Sequence, residues 1–436
     1  MSFKKSIAKT LKASFGNIIE WYDYSLYGYF AIVISQNFFP EETSRWESLL
    51  LTFGIFATGY LARPLGSVIF GSLGDQKGRY YAMNLSILLM AIPTIVMAFI
   101  PTYESIGIFA PIILIIIRVF QGISAGGQFG NLMTIESEGQ DFRFVGFNVS
   151  LAFSTSILGF ILASAVSAIF TTIIPESWGT LVWRIPFGLG AVLLFIFIFL
   201  RGKDEGHIPR NYKKPPIKEL VKSYKKHLFI VTAIATLALM IYYIDITYMT
   251  SYMVEVLGMS MSDALVINTI ATVFMFLITP FFGFISDLFG RKQVLFLSFL
   301  LCLVASPVLL MFLDGKSMVV SVVILASLAT ITGMIQGAAN PCYTMVFPHR
   351  VRASGASITY GFGASVSGFA PLIATFITGV MDHTLGIILL ISVLSFLGAI
   401  ITLKMPLKQM RVRRLNDLKA NNIIKQGEKM NEIFYR

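Results

Sequence analysis

Long apolar stretches separated by short polar connections recur along the whole chain. Each stretch reaches about 18 residues or more, which is enough to cross a bilayer as a helix. The alternating pattern typical of membrane β-strands does not occur. The pattern therefore predicts an all-α membrane protein with twelve spans. The predicted spans lie near residues 15–39, 49–73, 80–100, 106–135, 143–172, 182–201, 228–256, 262–288, 293–313, 318–345, 352–380 and 385–404.

The positive residues lie mainly on one side of this predicted array. Of 34 Lys and Arg residues, 29 fall in the two tails and the even-numbered connections. Because positive residues favour the cytoplasmic side of a membrane, both termini are predicted to be cytoplasmic. The exceptions are Arg45, Arg184 and Lys316 in odd-numbered connections and Arg63 and Arg118 within spans.

A long connection rich in Lys and Pro, near residues 202–227, divides the array into two sets of six spans. We predict an N-terminal bundle at 1–201, a cytoplasmic linker at 202–227, a C-terminal bundle at 228–404 and a basic cytoplasmic tail at 405–436. The tail is expected to be solvated or to contact anionic membrane lipid.

Composition narrows the class of protein further. Hydrophobic residues make up 56% of the chain, charged residues 13%, and the mean hydropathy is +0.75, which excludes an ordinary soluble domain. The net charge of +11 follows the membrane orientation, so nucleic-acid binding is not indicated. Cys302, Cys342 and four scattered histidines form no disulfide, metal or catalytic pattern. We expect a monomer with no cofactor and no enzyme activity.

The two halves share a repeated motif. GSLGDQKGR at 71–79 matches GFISDLFGR at 283–291, and Gln121-Gly122 echoes Gln336-Gly337. Such echoes suggest duplication of a six-helix unit. Each motif follows an even-numbered span on the cytoplasmic side, where its Asp can pair with Arg or cap a helix. The alternative is that each motif is a turn that only fixes the orientation of the chain in the membrane and has no gating role. The candidate gating residues are Arg63, Gly71, Asp75, Gly78, Arg79, Gly283, Asp287, Gly290 and Arg291.

The motif resembles the signature loop of the major facilitator superfamily. Other segments are similar to its metabolite/proton symporters, which include permeases for proline and betaine, α-ketoglutarate, citrate and shikimate. These segments are GNIIEWYDYSLYG at 16–28, ARPLGSVIFGSLGDQKGR at 62–79, RVFQGISAGG at 118–127, WRIPF at 183–187 and FPHRVRASG at 347–355. The resemblance implies two pseudo-symmetric six-helix bundles, alternating access, and proton-coupled uptake of a zwitterion or organic acid across a bacterial inner membrane.

The sequence departs from this family pattern at three places. Gln128 stands where the family usually has an acidic residue after Gly-Gly, and Met345 replaces the usual Glu near Phe-Pro. The acidic stretch after the sixth span is replaced by GKDEGHIPR. The first two changes remove carboxylates and so bear on proton coupling.

Polar residues within spans are the candidate site, because ionisable groups in a membrane are usually functional. Glu20 and Asp23, three residues apart, can share a proton or bind a cation. Arg118 can bind a substrate carboxylate or neutralise one of these acids. Asn340 precedes a helix-breaking Pro341. The candidate substrate and proton residues are Glu20, Asp23, Tyr24, Tyr27, Arg118, Gln121, Gln128, Tyr243, Asp245, Tyr248, Gln336, Asn340 and Tyr343.

The sequence thus predicts a secondary transporter of a small zwitterionic or organic-acid metabolite, working by alternating access with proton symport. The partners expected are the metabolite, a proton and membrane lipid. Gln128 and Met345 favour an alternative, an uncoupled facilitator or exchanger, whereas Glu20, Asp23 and Asp245 oppose it. A transporter-like sensor that signals through the basic tail is a third possibility.

Overall fold

The computed structural model describes residues 3–138, 144–173, 178–179, 181–200 and 216–405. All regular structure in these residues is helical. The helices are α1 (Phe3–Tyr29), α2 (Ala31–Asn37), α3 (Arg45–Leu61), α4 (Arg63–Lys77), α5 (Arg79–Phe99), α6 (Tyr103–Ile106), α7 (Phe109–Glu138), α8 (Val145–Ile173), α9 (Leu181–Leu200), α10 (Pro216–Tyr243), α11 (Met249–Glu255), α12 (Met261–Phe289), α13 (Arg291–Met311), α14 (Met318–Met345), α15 (Arg352–Ser367), α16 (Ala370–Val380) and α17 (His383–Leu403).

Ten stretches of the described residues are long and apolar enough to cross a bilayer, and they match ten of the twelve predicted spans. The other two predicted spans correspond to α1 with α2 and to α9, whose apolar part is shorter. The all-α membrane architecture predicted from the sequence is confirmed.

Several spans are built from two helices that meet at a break. α3 and α4 meet at Ala62, next to Arg63-Pro64, and α15 gives way to α16 next to Pro371. Proline disfavours a continuous helix through the preceding turn, which accounts for both breaks. Between α10 and α11 lies a π turn, Ile244–Tyr248, in which Asp245 is buried. The break after α3 is what places Arg63 at a helix start, deep in the bundle.

The linker prediction differs from the structure in part. Residues 201–215 lie outside the described residues, but α10 begins at Pro216 and includes residues assigned to the linker. Leu220 is buried there, and Glu219 pairs with Arg350 at 3.4 Å. Packing of one apolar face therefore holds this charged segment in a helix. The helix kinks at Tyr224 before it enters the apolar part of the span.

The two halves pack most extensively along α8 with α12, α4 with α15, and α7 with α15. Small residues allow these close approaches. A Cβ at Gly283 of α12 would lie 2.6 Å from the carbonyl oxygen of Gly146 in α8. A Cβ at Gly71 of α4 would lie 3.0 Å from the Cβ of Ser357 in α15. Large apolar side chains such as Ile92, Phe99 and Phe195 point outward instead, as lipid-facing surfaces require.

Candidate functional site

The first helix brings acidic and aromatic side chains to the interior, as its spacing predicts. Glu20, Asp23, Tyr24 and Tyr27 are all buried. Glu20 and Asp23 do not share partners. Asp23 Oδ2 accepts hydrogen bonds from Thr94 Oγ1 at 3.0 Å and from Gln121 Nε2 at 2.7 Å.

Gln121 connects this carboxylate to an arginine. Its Oε1 accepts a hydrogen bond from a terminal nitrogen of Arg118 at 3.2 Å. The guanidinium of Arg118 also lies over the rings of Tyr24, at 4.0 Å, and Tyr27, at 4.6 Å. Arg118 is therefore linked to Asp23 through an amide, and among the described residues it forms no direct ion pair with either acid.

A second buried arginine lies beside the first. The guanidinium carbon of Arg63 is 4.2 Å from the ring centre of Tyr60, 4.6 Å from Tyr24 and 4.9 Å from Trp21. None of its three nitrogens has a hydrogen-bond partner among the described residues, and two of the three in Arg118 also lack one. The sequence placed Arg63 with the gate. In the structure its guanidinium lies beside that of Arg118, against the same Tyr24 ring.

Close helix packing positions the two arginines. A Cβ at Gly59 of α3 would lie 2.6 Å from Tyr24 Oη and 2.9 Å from the backbone oxygen of Arg118. Glycine at this position lets α3 approach α7 closely enough for Tyr24 to contact both guanidinium groups. Cation–π contacts then stabilise the buried charges, each by about 0.5–2 kcal/mol.

Aromatic rings from the other half complete the cluster. Tyr60 contacts Tyr243 with ring centres 5.0 Å apart, and Phe129 contacts Tyr360 at 4.5 Å. Tyr343 lies 6.4 Å from the same Tyr360 ring. Both halves therefore contribute to the surroundings of Arg63, as expected of a site between two bundles.

The remaining predicted residues of the C-terminal half lie in their own hydrogen-bond networks. Asp245 accepts a hydrogen bond from Thr332, and Tyr248 Oη lies 2.6 Å from Thr378 Oγ1. Gln336 donates to the carbonyl of Ala238 at 3.0 Å, and Asn340 donates to the carbonyl of Gln336 at 2.7 Å. The hydrogen bond from Asn340 to Gln336 therefore stabilises α14 next to Pro341.

Gln128 of α7 is also buried, and its Nε2 makes no hydrogen bond among the described residues. Gln128 is the residue that stands where the resemblance leads us to expect an acid.

On the predicted cytoplasmic side, each repeated Asp caps a helix of the opposite half. Asp75 Oδ2 accepts hydrogen bonds from the N–H, at 3.0 Å, and the hydroxyl of Ser354 at the start of α15. Asp287 accepts from the N–H groups of Gly146 and Phe147 at the start of α8, at 3.0 and 3.1 Å. A carboxylate at a helix N-terminus is favourable for both hydrogen bonding and charge.

The other motif residues shape the same turns. Gly78 and Gly290 have φ angles of 109° and 98°, which only glycine adopts readily. Arg291 pairs with Asp287 at 2.9 Å. The side chain of Arg79 lies outside the described residues.

At the opposite end of the bundle, two consecutive residues of α3 reach the other half. Arg45 pairs with Glu255 at 2.7 Å, and the Trp46 ring lies parallel to the His383 ring with centres 5.9 Å apart. The halves are thus in contact at both ends, and the arginine site lies buried between them.

Sequence reasoning missed several partners of the predicted residues, namely Trp21, Tyr60, Thr94 and Tyr360 in the cluster and Thr332 beside Asp245. Trp21 and Tyr60 carry a signal in hindsight, since each is an aromatic residue within three positions of a charged residue in a span. Thr94, Thr332 and Tyr360 carry no local signal, because their role depends on which helices are neighbours.

An array of membrane-spanning helices with two capped turns and a buried polar centre is typical of a membrane transporter. The chain belongs to the Major Facilitator Superfamily, whose family model matches residues 13–371 and 267–421. The function predicted from the sequence, secondary transport of a small metabolite, is confirmed at that level.

Named relatives are similar over most of their length. The chain is 30% identical to the citrate-proton symporter of Klebsiella pneumoniae over 380 residues, covering 85% of each protein. It is 31% identical to the alpha-ketoglutarate permease of Escherichia coli (strain K12), covering 84% of this chain and 85% of that protein. It is 30% identical to the proline/betaine transporter of the same strain, covering 84% and 76%.

Solved structures show the same fold. A proton:xylose symporter bound to 6-bromo-6-deoxy-D-glucose matches with a TM-score of 0.74 at 17% identity, covering 93% of this chain and 98% of that one.

Proposed function

We propose that this protein is a proton symporter for a small metabolite that carries at least one carboxylate group. The observation that carries this proposal is the pair of buried guanidinium groups, Arg63 and Arg118, in which five of the six nitrogens have no hydrogen-bond partner among the described residues. Buried charges are normally paired, and guanidinium binds carboxylate bidentately. A substrate carboxylate supplies that partner in the loaded state.

The aromatic cluster favours an organic acid over a betaine-like zwitterion. Rings such as Trp21, Tyr24 and Tyr60 can bind a quaternary ammonium group. Here the same three rings lie against Arg63, so a substrate cation would compete with the protein's own charge. The relatives named for citrate and alpha-ketoglutarate are the better guide to this chain than the one named for proline and betaine.

Proton coupling follows from the link between Asp23 and Arg118. Gln121 donates to the carboxylate and accepts from the guanidinium, so protonation of Asp23 changes the hydrogen bonding of the amide that orients Arg118. Glu20 lies on the same helix, is buried, and has one carboxylate oxygen without a hydrogen-bond partner among the described residues. Asp23 is therefore the proposed proton carrier of the N-terminal half, and Glu20 is the acid with which it can share that one proton.

The proposed cycle alternates between the two closed ends of the bundle. The contacts of Arg45 and Trp46 separate when the site opens to one side, and the Asp75 and Asp287 caps separate when it opens to the other. We place the protein in a bacterial inner membrane with both termini in the cytoplasm, as the distribution of positive residues predicts.

Reconstituted protein tests this proposal directly. Liposomes containing the purified transporter would be offered citrate, α-ketoglutarate, proline and glycine betaine, with and without an inward proton gradient. Accumulation of a carboxylate acid that needs the gradient and stops with uncoupler is the expected result. Uptake that ignores the gradient would establish the uncoupled facilitator or exchanger instead, and binding without uptake would establish a sensor.

A further inference from the structure

Asp245 is a buried carboxylate that the proposed site between Asp23, Arg63 and Arg118 does not use. It lies in the π turn between α10 and α11, and its side chain accepts a hydrogen bond from Thr332 of α14. π turns inside helices occur frequently at functional positions, because they add a residue and free backbone groups. Asp245 therefore sits at an irregular point of the seventh span, deep in the C-terminal half.

No positive side chain neutralises this carboxylate. Among the described residues, no Lys, Arg or His nitrogen lies within 4.0 Å of it. The nearby titratable thiol of Cys302 contacts Ser306, and the hydroxyl of Tyr248 contacts Thr378. These groups are not cations.

The helices packed against the π turn are α1, α10, α11, α14 and α16. The lysines and the histidine of α1 and α10 lie early in each helix, at 4–12 and 218–227, whereas α1 meets the π turn at Gly28 and α10 reaches it after Tyr243. The acids of these helices are Glu20 and Asp23 of the proposed site, and Glu219 and Glu255, which pair with Arg350 and Arg45. The tyrosines of these helices are neutral, and α16 contains no titratable residue.

A buried carboxylate without a cation is unfavourable as an anion by several kcal/mol. Uptake of a proton removes that penalty and leaves a neutral acid that can still hydrogen-bond to Thr332. A metal cation would require several oxygen ligands. The Thr332 hydroxyl is the one side-chain oxygen bound to Asp245 in the described part of the chain. The geometry therefore favours a proton as the ligand.

The two halves hold their acids in a related way. Asp23 lies on the first span of the N-terminal half and is bound by Gln121 of the fourth span. Asp245 lies on the first span of the C-terminal half and is bound by Thr332 of the corresponding fourth span, one turn before Gln336. The repeat thus places one buried carboxylate against the same neighbouring helix in each half.

We propose that Asp245 is a second proton-binding residue and that the transporter moves two protons with each substrate molecule. This inference rests on the proposed proton symport and assigns its stoichiometry. Asp23 is the proton site coupled to the substrate arginines, and Asp245 is an independent site in the C-terminal half.

The test is the accumulation ratio in liposomes under an inward gradient of about one pH unit, with the membrane potential clamped to zero. Each coupled proton multiplies the ratio by about ten, so wild-type protein is expected to reach about 100-fold accumulation. Asp245→Asn, which keeps the shape of the side chain, is expected to reach about 10-fold. Asp314→Asn, in an exposed loop, is the matched control and should behave as wild type.

Direct counting of protons in wild-type liposomes provides a second measurement that needs no variant. Two protons entering per substrate support the proposal, and one proton overturns it. An unchanged accumulation ratio in Asp245→Asn also overturns it, as does a requirement for Na⁺ that replaces the second proton. If wild-type protein accumulates nothing under any gradient, the proposed symport itself is wrong.

Discussion

The guanidinium carbon of Arg118 lies 4.0 Å from the ring centre of Tyr24, and the guanidinium of Arg63 lies 4.6 Å from the same ring. One tyrosine therefore contacts two buried cations that come from different helices. The ring offsets part of the unfavourable burial, and five of the six guanidinium nitrogens keep no hydrogen-bond partner among the described residues. The arrangement keeps both arginines in place and ready for an anion.

Replacing either arginine with lysine should abolish most carboxylate transport. Lysine keeps the charge but loses the planar, bidentate hydrogen bonding and the stacking on Tyr24. Losing one charge-assisted hydrogen bond typically costs about 1.5–3 kcal/mol, so substrate binding should weaken by at least about 10-fold. Arg63→Lys and Arg118→Lys would be compared by substrate titration in detergent. Arg45→Lys, at the surface of the bundle, is the control and should retain wild-type affinity.

Asp23→Asn should stop gradient-driven accumulation while leaving membrane insertion intact. The amide cannot release or accept the coupled proton, yet it can still hydrogen-bond to Thr94 and Gln121. Exchange of labelled for unlabelled substrate, which needs no net proton movement, should therefore persist. Normal accumulation in this variant would remove Asp23 from the coupling mechanism.

The fold was predictable because its signals are local. Apolar runs predict the spans, and the distribution of Lys and Arg predicts an orientation. The candidate acids could also be identified from the sequence, because an ionisable residue such as Asp245 inside an apolar run is usually functional.

The partnerships inside the site were not predictable in the same way. Spacing along α1 suggested that Glu20 and Asp23 act as a pair, but Asp23 is bound by Thr94 and Gln121 of other helices. Arg63 belongs with Arg118 only because of the close α3–α7 approach at Gly59, which no periodicity reports. The residues were identifiable from sequence, whereas their groupings depend on which helices are neighbours.

Asp287→Asn should open the cytoplasmic side. Each Asp287 oxygen accepts from a different N–H of α8, and the same carboxylate pairs with Arg291. An amide retains one acceptor oxygen and loses the charge, so a penalty of about 1–3 kcal/mol on the closed state is expected. Labelling of a cysteine introduced by Ser150→Cys should become faster from the cytoplasmic face. Unchanged labelling would mean that this cap is only a turn device.

The end of the bundle where Arg45 pairs with Glu255 should depend less on its ion pair than the cytoplasmic end depends on Asp287. The Arg45 side chain is 60% exposed and the Glu255 side chain 6%, so the cation stays hydrated when the carboxylate is replaced, and the loss is expected to stay near the roughly 0–1 kcal/mol of exposed pairs. Glu255→Gln should therefore change transport by less than about 5-fold. Trp46→Ala removes the ring against His383 and should have the larger effect on closure of this end. Transport rates of both single variants and of the double variant measure the two contributions. A larger loss from Glu255→Gln than from Trp46→Ala would contradict the larger role given to Trp46.

Two glycines of α3 offer a matched test of the packing that creates the site. A Cβ at Gly59 would meet the Tyr24 hydroxyl at 2.6 Å and the Arg118 backbone at 2.9 Å, whereas a Cβ at Gly54 would meet nothing within 4 Å. Alanine favours a helix over glycine by about 1 kcal/mol, so Gly54→Ala should leave transport unchanged and leave stability equal or higher. Gly59→Ala must separate α3 from α7.

Separation of these helices moves both arginines relative to Tyr24. We expect Gly59→Ala to lower the thermal midpoint in detergent and to weaken substrate binding by more than its effect on stability alone explains. Midpoints and substrate titrations on the two variants provide the comparison. Equal behaviour of Gly59→Ala and Gly54→Ala would show that the close approach of α3 and α7 does not position the arginines, and the proposed carboxylate site would lose its structural basis.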